Sequence, residues 1–278
     1  MKIHIIDTGF FKLDGGAMFG VVPKTLWSRH ISSDENNLCN WAARCLLIEN
    51  GSRLILIDTG LGDKQSEKFF SHYYRNGDAT LLSSIYKAGF APEEITDVVL
   101  THLHFDHAGG AVRYQDGKPV LTFPNAQYWS AKGQWEWAIR PNAREKASFL
   151  PENLLPIEAS GHLMFIEKGN SPFPGISFIH VDGHTEQMIL PLIDCNGKKY
   201  LFAADLLPSS AHLPIAWVMG YDVRPLVTMD EKKQILQKVS DEQITLIFEH
   251  DAGYEAATVK QGEKGIEIGT RGRLADYL

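Results

Sequence analysis

Cysteine is scarce in this sequence of 278 residues, which has only Cys39, Cys45 and Cys195. The odd count and the wide spacing predict no disulfide framework, and no two of the three form a CxxC pair. We therefore expect reduced thiols, which are typical of a reducing compartment, and a cytoplasmic location is the default expectation.

Long apolar runs and clusters of like charge are also missing. No stretch approaches the roughly 18 apolar residues of a membrane-spanning helix. The first ten residues, "MKIHIIDTGF", hold no apolar block typical of a secretory signal. The formal net charge is -7 and is not gathered into runs. Such a chain suits neither nucleic acid nor an anionic membrane, so we expect neither partner.

Strand-like and helix-like segments alternate over the whole length. Hydrophobic residues make up 44% of the chain, which is enough for a sizeable core. We expect strands near 2–8, 44–50, 53–60, 97–101, 162–168, 176–182, 187–194, 198–205 and 244–251, and helices near 64–74, 80–90, 130–149 and 230–239. This alternation indicates a layered α/β architecture in a single domain, 1–278. Segment 10–40 is expected to be loop-rich, and its part 23–40 fits a lid, an oligomer contact or a mobile loop.

The stretch "THLHFDHAGG" at 101–110 crowds three histidines and an aspartate into six positions. Side chains alternate in an extended segment, so His102 and His104 point the same way and can hold one metal ion. Asp106 and His107 follow where the chain must turn, and they can face a second ion. Burying this set without a metal would cost several kcal/mol in unpaired polar groups, so the pattern predicts a metal site.

A four-coordinate metal needs more ligands than this segment supplies, and three further candidates each follow an apolar strand. His184 comes after "FIHVDG", Asp205 ends "YLFAAD" and His250 ends "TLIFEH". Taken singly, a strand-end histidine or aspartate often caps a helix or meets water. Together with the first segment, these residues complete a set of seven ligands.

The order and spacing of HxHxDH, a Gly-His, a strand-end Asp and a strand-end His resemble the metallo-β-lactamase-fold hydrolases. The resemblance covers essentially the whole chain, including "LIDTG" at 56–60. "HLHFDHAGG", "GGAMFGVVPKTLW" and "SAHLPIAWVMGYD" are similar to the branch of N-acyl-homoserine lactonases and organophosphate hydrolases. The resemblance implies a four-layer αββα sandwich, which agrees with the layered α/β pattern.

The resemblance also implies two divalent metal ions per chain, zinc first, with manganese, iron or cobalt as alternatives. Asp58 of "LIDTG" would accept an N–H from a ligand histidine and so fix its tautomer. In the implied mechanism a hydroxide shared by the two ions attacks an ester-like carbonyl, and Asp106 carries a proton to the leaving oxygen. Seven side chains would bind the ions: His102, His104 and His184 the first, Asp106, His107 and His250 the second, and Asp205 both.

Two positions depart from the family pattern. Many relatives read Gly-His-Thr-Pro-Gly around the third histidine, where this chain has "GHTEQM". The acyl-homoserine lactonases place a tyrosine three residues after the bridging aspartate, where this chain has Pro208. A proline supplies no phenol for a substrate oxygen. Tyr221 or His212 is the candidate replacement, and a purely structural role is the alternative for each.

Several apolar residues near these motifs are candidates for a substrate pocket, and packing in a core or a dimer contact is the alternative. If they line a pocket, the substrate is a small molecule with an acyl chain or an aromatic body. A homodimer is a further expectation. The candidates are Met18, Phe19, Val21, Trp27, Leu213 and Trp217.

These observations predict a hydrolase of lactones, acyl-homoserine lactones first, which would act in quorum quenching. Asp106 and Asp205 would be its catalytic carboxylates. The alternatives on the same site are an organophosphate triesterase or aryl esterase, and a thioester hydrolase. Outside enzymes, the alternative is a non-catalytic metal-binding module on the same fold, which would predict a damaged ligand set.

Overall fold

The computed structural model of the chain describes residues 1–263 and 265–278. The strands are β1 (Lys2–Asp14), β2 (Leu38–Asn50), β3 (Arg53–Ile57), β4 (Asp97–Val99), β5 (Val112–Gln115), β6 (Lys118–Leu121), β7 (Gln127–Ala131), β8 (Leu163–Ile166), β9 (Ile176–Val181), β10 (Met188–Cys195), β11 (Lys198–Phe202), β12 (Thr245–Ile247), β13 (Ala256–Gly262) and β14 (Gly265–Gly272). The α-helices are α1 (Gly15–Phe19), α2 (Lys24–Trp27), α3 (Glu67–Ser71), α4 (Leu81–Lys87), α5 (Phe105–Ala108), α6 (Lys132–Ala138), α7 (Pro151–Ser160) and α8 (Pro225–Asp241). None of the helices in the described part of the chain has the length and apolar character needed to cross a bilayer.

The chain divides into two compact units, and β1, β2 and β10 contribute residues to both. Unit one comprises residues 1–9, 43–174 and 187–189. Its sheet has the strand order β1-β2-β3-β4-β7-β8, in which β3, β4, β7 and β8 run parallel. Parallel strands covered on both faces are built from continuous apolar runs, which is why "RLILI" and "DVV" are almost entirely buried.

Unit two comprises residues 10–42, 175–186 and 190–278. Its sheet has the order β14-β13-β12-β11-β10-β9. Within this sheet β11 and β12 run parallel, while β10 pairs antiparallel with β11 and β13 pairs antiparallel with β12. Helix α8 starts with Pro225, a residue that suits the first turn of a helix, and buries Ile235, Leu236 and Val239.

The two hairpins expected from turn residues are confirmed. Strand β2 pairs with β3 across Gly51-Ser52, and β10 pairs with β11 across Asn196-Gly197. Asn196 and Gly197 have φ angles of 56° and 78°, and two successive positive values are what a type I′ turn requires.

Segment 10–40, expected to be loop-rich, contains the end of β1, both α1 and α2, and the start of β2. Asp14 caps α1, because its carboxylate accepts the N–H of Ala17 at 2.8 Å. Trp27 is almost fully buried and its ring leaves no room for a side chain at Gly15. Helix α7 was not predicted, because it carries Pro156 in its interior. The β5–β6 hairpin was not predicted either.

Replacing Leu56 by alanine should test the core of unit one. Leu56 is fully buried on β3, between Leu47 of β2 and Val98 of β4. A cavity at such a site costs about 2–5 kcal/mol of unfolding free energy, which urea titration would measure. The matched control is Leu155→Ala on α7, where Leu155 is 50% exposed and the loss should stay within about 0.5 kcal/mol. Equal losses in the two variants would contradict this core.

Candidate metal centre

In unit one, the residues that follow β3 and β4 come to the same edge of the sheet. The two strands are adjacent and parallel, so their carboxyl ends lie side by side. Asp58 directly follows β3, and the segment 100–104 follows β4 and leads into α5. The sheet thus gathers several of the predicted site residues at one edge, before any interaction between side chains is considered.

The Asp58 carboxylate organises this edge. It accepts the Thr101 N–H at 2.7 Å and the Thr101 hydroxyl at 2.6 Å, and it lies 3.2 Å from His107 Nδ1. All three residues are fully buried. Because a carboxylate accepts, His107 carries its hydrogen on Nδ1 and its Nε2 lone pair is directed elsewhere, as a metal ligand requires. Asp58 adopts a φ of 58°, a left-handed conformation that non-glycine residues tend to hold at functional sites.

The imidazoles of His102 and His104 converge. His102 Nε2 lies 3.0 Å from His104 Nδ1. Two nitrogens on one tetrahedral zinc ion, each at about 2.0–2.1 Å from it, would lie roughly 3.3 Å apart. The other nitrogen of His104, Nε2, lies 3.4 Å from the buried carboxylate of Glu145, which also accepts the Trp137 indole N–H at 2.7 Å. The pair therefore has the spacing of two ligands of one ion.

Asp106 lies on α5 next to His107, and its Oδ2 is 3.8 Å from His107 Nε2. The ring of Tyr73 packs 4.6 Å from that of Phe105 on the same helix. Burial, together with the charge of Asp106, raises the pKa of Tyr73 to about 12. The phenol therefore keeps its proton at neutral pH.

In unit two, Asp205 and His250 stand at corresponding positions after two parallel strands. Asp205 comes three residues after β11 and His250 three residues after β12. The Asp205 carboxylate has Oδ2 at 3.1 Å from His184 Nε2 and Oδ1 at 3.0 Å from His250 Nε2. One carboxylate thus offers a separate oxygen to each of two imidazoles, which is the arrangement of a ligand that bridges two ions.

Hydrogen-bond acceptors at the Nδ1 atoms hold the rings of His184 and His250 in place. His184 Nδ1 lies 2.9 Å from Asp222 Oδ1, and His250 Nδ1 lies 2.7 Å from the Ala42 carbonyl. Carboxylate and carbonyl oxygens can only accept, so each Nδ1 carries a hydrogen and each Nε2 is directed toward Asp205. The Met219 N–H donates to the second oxygen of Asp222 at 3.2 Å and fixes that carboxylate.

These residues fit a divalent cation. Lone pairs of nitrogen and oxygen that face each other at about 3 Å repel unless a positive charge lies between them. Burial favours neutral imidazole, but the carboxylates of Asp205 and Asp222 outweigh it and raise the pKa of His184 to about 10, so this position attracts a positive charge, whether a proton or a metal ion. Imidazole nitrogen and carboxylate oxygen together are a donor set that zinc, manganese, iron and cobalt accept.

The residues considered for a substrate pocket have different environments. The Phe19 ring is stacked between Trp27, at 5.2 Å, and His212, at 4.5 Å. Met18, Phe19 and Trp27 are all buried, while Val21 is exposed. Trp217 is half-buried and meets Phe19 edge-on at 5.8 Å. Of the two candidate replacements for the missing tyrosine, Tyr221 is 39% exposed and His212 is buried.

Both ring nitrogens of His212 have partners within unit two. Nε2 donates to the Met18 carbonyl at 2.8 Å, and Nδ1 accepts from the Ser209 hydroxyl, also at 2.8 Å. Burial lowers the pKa of His212 to about 3, so the ring is neutral. These contacts favour the structural role for His212. Pro208 acts through its backbone, since its carbonyl accepts the N–H of the candidate ligand His250 at 3.0 Å.

Sequence reasoning missed Glu145 and Asp222, the carboxylates behind His104 and His184. Neither belongs to a ligand motif, and each lies about forty positions from the histidine that it contacts, at separations of 41 and 38. The one available signal is that Asp222 closes "SAHLPIAWVMGYD", a segment that already carried the family resemblance.

The sequence profile described as "Metallo-beta-lactamase superfamily" matches residues 41–250, which is most of the chain and spans all the candidate ligands. The chain belongs to this superfamily. The prediction of the metallo-β-lactamase fold is confirmed by that match and by solved structures. A probable metal-dependent hydrolase from Staphylococcus aureus is 32% identical, with a TM-score of 0.89 over 98% of this chain and 96% of that one.

Two further relatives are lactonases by name. An N-acyl homoserine lactonase of Bacillus cereus is 25% identical over 232 residues, which are 79% of this chain and 85% of that protein. The structure of AidC, a dizinc quorum-quenching lactonase in complex with a product, has a TM-score of 0.79 at 23% identity, over 96% of this chain and 93% of that one. Family and relatives together support a metal-dependent hydrolase.

Replacing Asp222 by alanine should weaken metal binding. The change removes the acceptor that holds the His184 ring, and the loss of such partners typically lowers metal affinity about 10- to 100-fold. Competition with a chromophoric zinc chelator would measure the affinity. Asp194→Ala, at an exposed carboxylate of β10, is the matched control and should bind zinc as the wild type does. Identical affinities in both variants would remove the role of Asp222.

Replacing His212 by glutamine should change the pH dependence of stability. The folded pKa of about 3 lies below the unfolded value of 6.5, so neutral His212 contributes fully above pH 6.5 and its contribution is lost as pH falls. With EDTA present, so that metal loss does not interfere, the stability advantage of wild type over His212→Gln should shrink by about 2 kcal/mol between pH 7 and pH 5. A constant difference in urea titrations would contradict a buried neutral ring.

Proposed function

We propose that the chain is a dinuclear metal-dependent hydrolase that cleaves lactones. The observation that carries the proposal is the Asp205 carboxylate, whose two oxygens face His184 and His250 separately. Seven side chains would hold the two ions, zinc being the first to test: His102, His104 and His184 on one, Asp106, His107 and His250 on the other, and Asp205 on both.

The ions, when bound, supply a water of lowered pKa and polarise the acyl oxygen of the substrate. Two aspartates carry two negative charges against the four positive charges of two divalent ions. A net positive centre of this kind accepts a neutral ester or lactone and stabilises the negative charge that develops on it. A reaction that builds negative charge on a substrate oxygen therefore suits this centre better than a reaction that removes negative charge.

The chain's own residues orient and move protons. Asp58 keeps the hydrogen of His107 on Nδ1, and Asp222 does the same for His184, so both rings keep Nε2 for a metal ion. Asp106 is the carboxylate that accepts a proton from the attacking water and passes it to the leaving oxygen. Position 208 offers no phenol to the substrate oxygen, because the residue there is a proline.

A lactone is the substrate that the relatives favour. The N-acyl homoserine lactonase of Bacillus cereus and the dizinc lactonase AidC are similar to this chain, at 25% and 23% identity. The family resemblance implies a tyrosine three residues after Asp205, where this chain has Pro208. If this chain hydrolyses lactones, then lactone cleavage on this centre does not need that phenol.

A hydrolysis panel on zinc-loaded, metal-quantified protein tests the substrate. It should compare acyl-homoserine lactones of short and long chain with aryl esters, an organophosphate triester and a glutathione thioester. Fast turnover of lactones with slow turnover of the others is the expected result. Faster turnover of triesters or aryl esters would replace the lactone by those substrates, and no turnover with two ions bound would favour the non-catalytic module.

Replacing Asp205 by asparagine should abolish hydrolysis, because a neutral amide does not offer two anionic oxygens to two ions. Metal content measured by mass spectrometry should fall below two ions per chain, while circular dichroism should remain as in the wild type. Asp194→Asn is the control and should keep both ions and full turnover. Unchanged turnover in Asp205→Asn would refute the bridging role.

A further inference from the structure

The candidate ligand His184 lies in the irregular segment 182–186, the His184 loop, which follows β9. The loop forms no strand or helix of its own, so contacts from elsewhere must fix its path. Two backbone hydrogen bonds come from the residues just before α8. The Arg224 N–H donates to the Gly183 carbonyl at 2.9 Å, and the Val223 N–H donates to the His184 carbonyl at 3.2 Å. The chain leading into α8 therefore runs alongside the histidine.

The side chain of Arg224 spans the His184 loop. Its Nη1 donates to the Asp182 carbonyl and its Nη2 to Glu186 Oε2, each at 2.7 Å. One rigid, planar guanidinium thus joins the residues two positions before and two positions after His184. The side chains of Arg224 and Glu186 are 35% and 28% exposed, and ion pairs at this level of exposure contribute little to the stability of a fold. The contact is therefore better suited to fixing the loop than to stabilising the whole unit.

The carboxylate of Glu231 holds the same loop from α8. Its Oε1 accepts the Asp182 N–H at 2.6 Å, and its Oε2 accepts the Gly183 N–H at 3.1 Å. Two successive backbone N–H groups thus face one anion. Because both oxygens are used, a glutamine at position 231 could not reproduce both bonds: its amide has one acceptor oxygen and presents an NH2 donor in place of the other.

Helix α8 also packs directly against the loop. A Cβ at Gly183 would lie 2.4 Å from both the backbone nitrogen and the hydroxyl of Thr228, so only glycine permits this approach. Arg224, Thr228 and Glu231 are separated by four and three positions, the spacing of residues on one face of a helix. The start of α8 therefore presents one face to the His184 loop.

These contacts lie where the chain departs from the family pattern. Glu186 and Gln187 occupy the positions of the proline and the second glycine in Gly-His-Thr-Pro-Gly. Gln187 has a φ of 49°, a left-handed conformation that glycine adopts more readily. A proline would fix its own φ, whereas Glu186 is not restricted in this way and binds Arg224.

We propose that Arg224 and Glu231 are positioning residues that hold the His184 loop against α8 and so set the place of the His184 ring at the metal centre. Asp222 fixes the hydrogen on that ring, and the two α8 residues fix the backbone that carries it. Neither residue contacts a reacting atom. The inference rests on the proposed function, because it takes His184 as a ligand of the first ion.

The first test measures zinc affinity by competition with a chromophoric chelator. Arg224→Gln and Glu231→Gln should each bind one of the two zinc ions about tenfold more weakly than wild type, as is typical when a partner of a metal ligand is lost. The controls are Arg29→Gln and Asp230→Asn, which remove charges of the same sign from exposed residues and should bind both ions as wild type does. Equal affinities in Glu231→Gln and Asp230→Asn would overturn the inference.

A double-variant cycle tests the contact between Arg224 and Glu186. If Glu186 acts through Arg224, the double variant Arg224→Gln/Glu186→Gln should bind zinc as weakly as Arg224→Gln alone. Arg224→Lys keeps the positive charge but not the fork that reaches two acceptors, so its zinc affinity should lie between those of wild type and Arg224→Gln. Losses that simply add, or full affinity in Arg224→Lys together with Arg224→Gln, would overturn the role of the guanidinium.

Hydrogen exchange in the presence of EDTA separates this inference from the proposed function. Peptides covering 182–186 should exchange faster in Glu231→Gln than in wild type or Asp230→Asn, while those from β10 should not change. With zinc in excess, kcat and KM of Glu231→Gln should return to within about twofold of wild type. Faster exchange with weaker zinc binding, in a protein that hydrolyses no lactone, would refute the lactonase and retain both positioning residues. Unchanged exchange, or faster exchange with unchanged zinc affinity, would overturn the inference whatever the activity.

Discussion

The hydrogen bond behind each candidate histidine is the interaction on which the metal centre depends. An imidazole has two nitrogens, and a metal ligand must present a lone pair in one direction only. The Asp58 carboxylate settles this for His107, Asp222 for His184 and the Ala42 carbonyl for His250. Without these acceptors the rings could rotate or change tautomer, and the Asp205 carboxylate would no longer face the two Nε2 atoms. The acceptors, more than the histidines, determine the geometry.

Those acceptors can work because the sheets bring strand ends together. In unit one the parallel pair β3 and β4 sets Asp58 beside the residues after β4, and in unit two the parallel pair β11 and β12 sets Asp205 beside His250. Neither arrangement requires a local sequence motif that spans both residues. Burial of the apolar strands stabilises this arrangement, and the polar residues lie where the strands end and the loops begin.

Residues that are close in the sequence could be predicted as a site, whereas residues that only the fold brings together could not. Four candidate ligands lie within six positions: His102, His104, Asp106 and His107. The alternation of side chains along an extended segment, followed by a turn, was therefore enough to predict them as metal ligands. Strand-end positions identified the three distant candidates as a group. Glu145 and Asp222 could not be predicted, because a supporting carboxylate needs only to reach one nitrogen and can come from any segment that the fold brings near. Segment 10–40 was expected to be loop-rich for a similar reason: its short helices depend on Trp27 and Asp14, contacts that have no periodicity.

The ligands determine the class of reaction, but they do not select the substrate. A set of histidines and aspartates that activates water does so for any carbonyl or phosphoryl group that reaches it, and one fold with one metal centre therefore supports several hydrolases. Selectivity must come from residues that contact the rest of the molecule. In this chain the candidates include Pro208, three residues after Asp205, and the loop 212–217, whose carbonyls bind Lys232. Substrate choice can therefore change in this segment while the candidate ligands stay as they are.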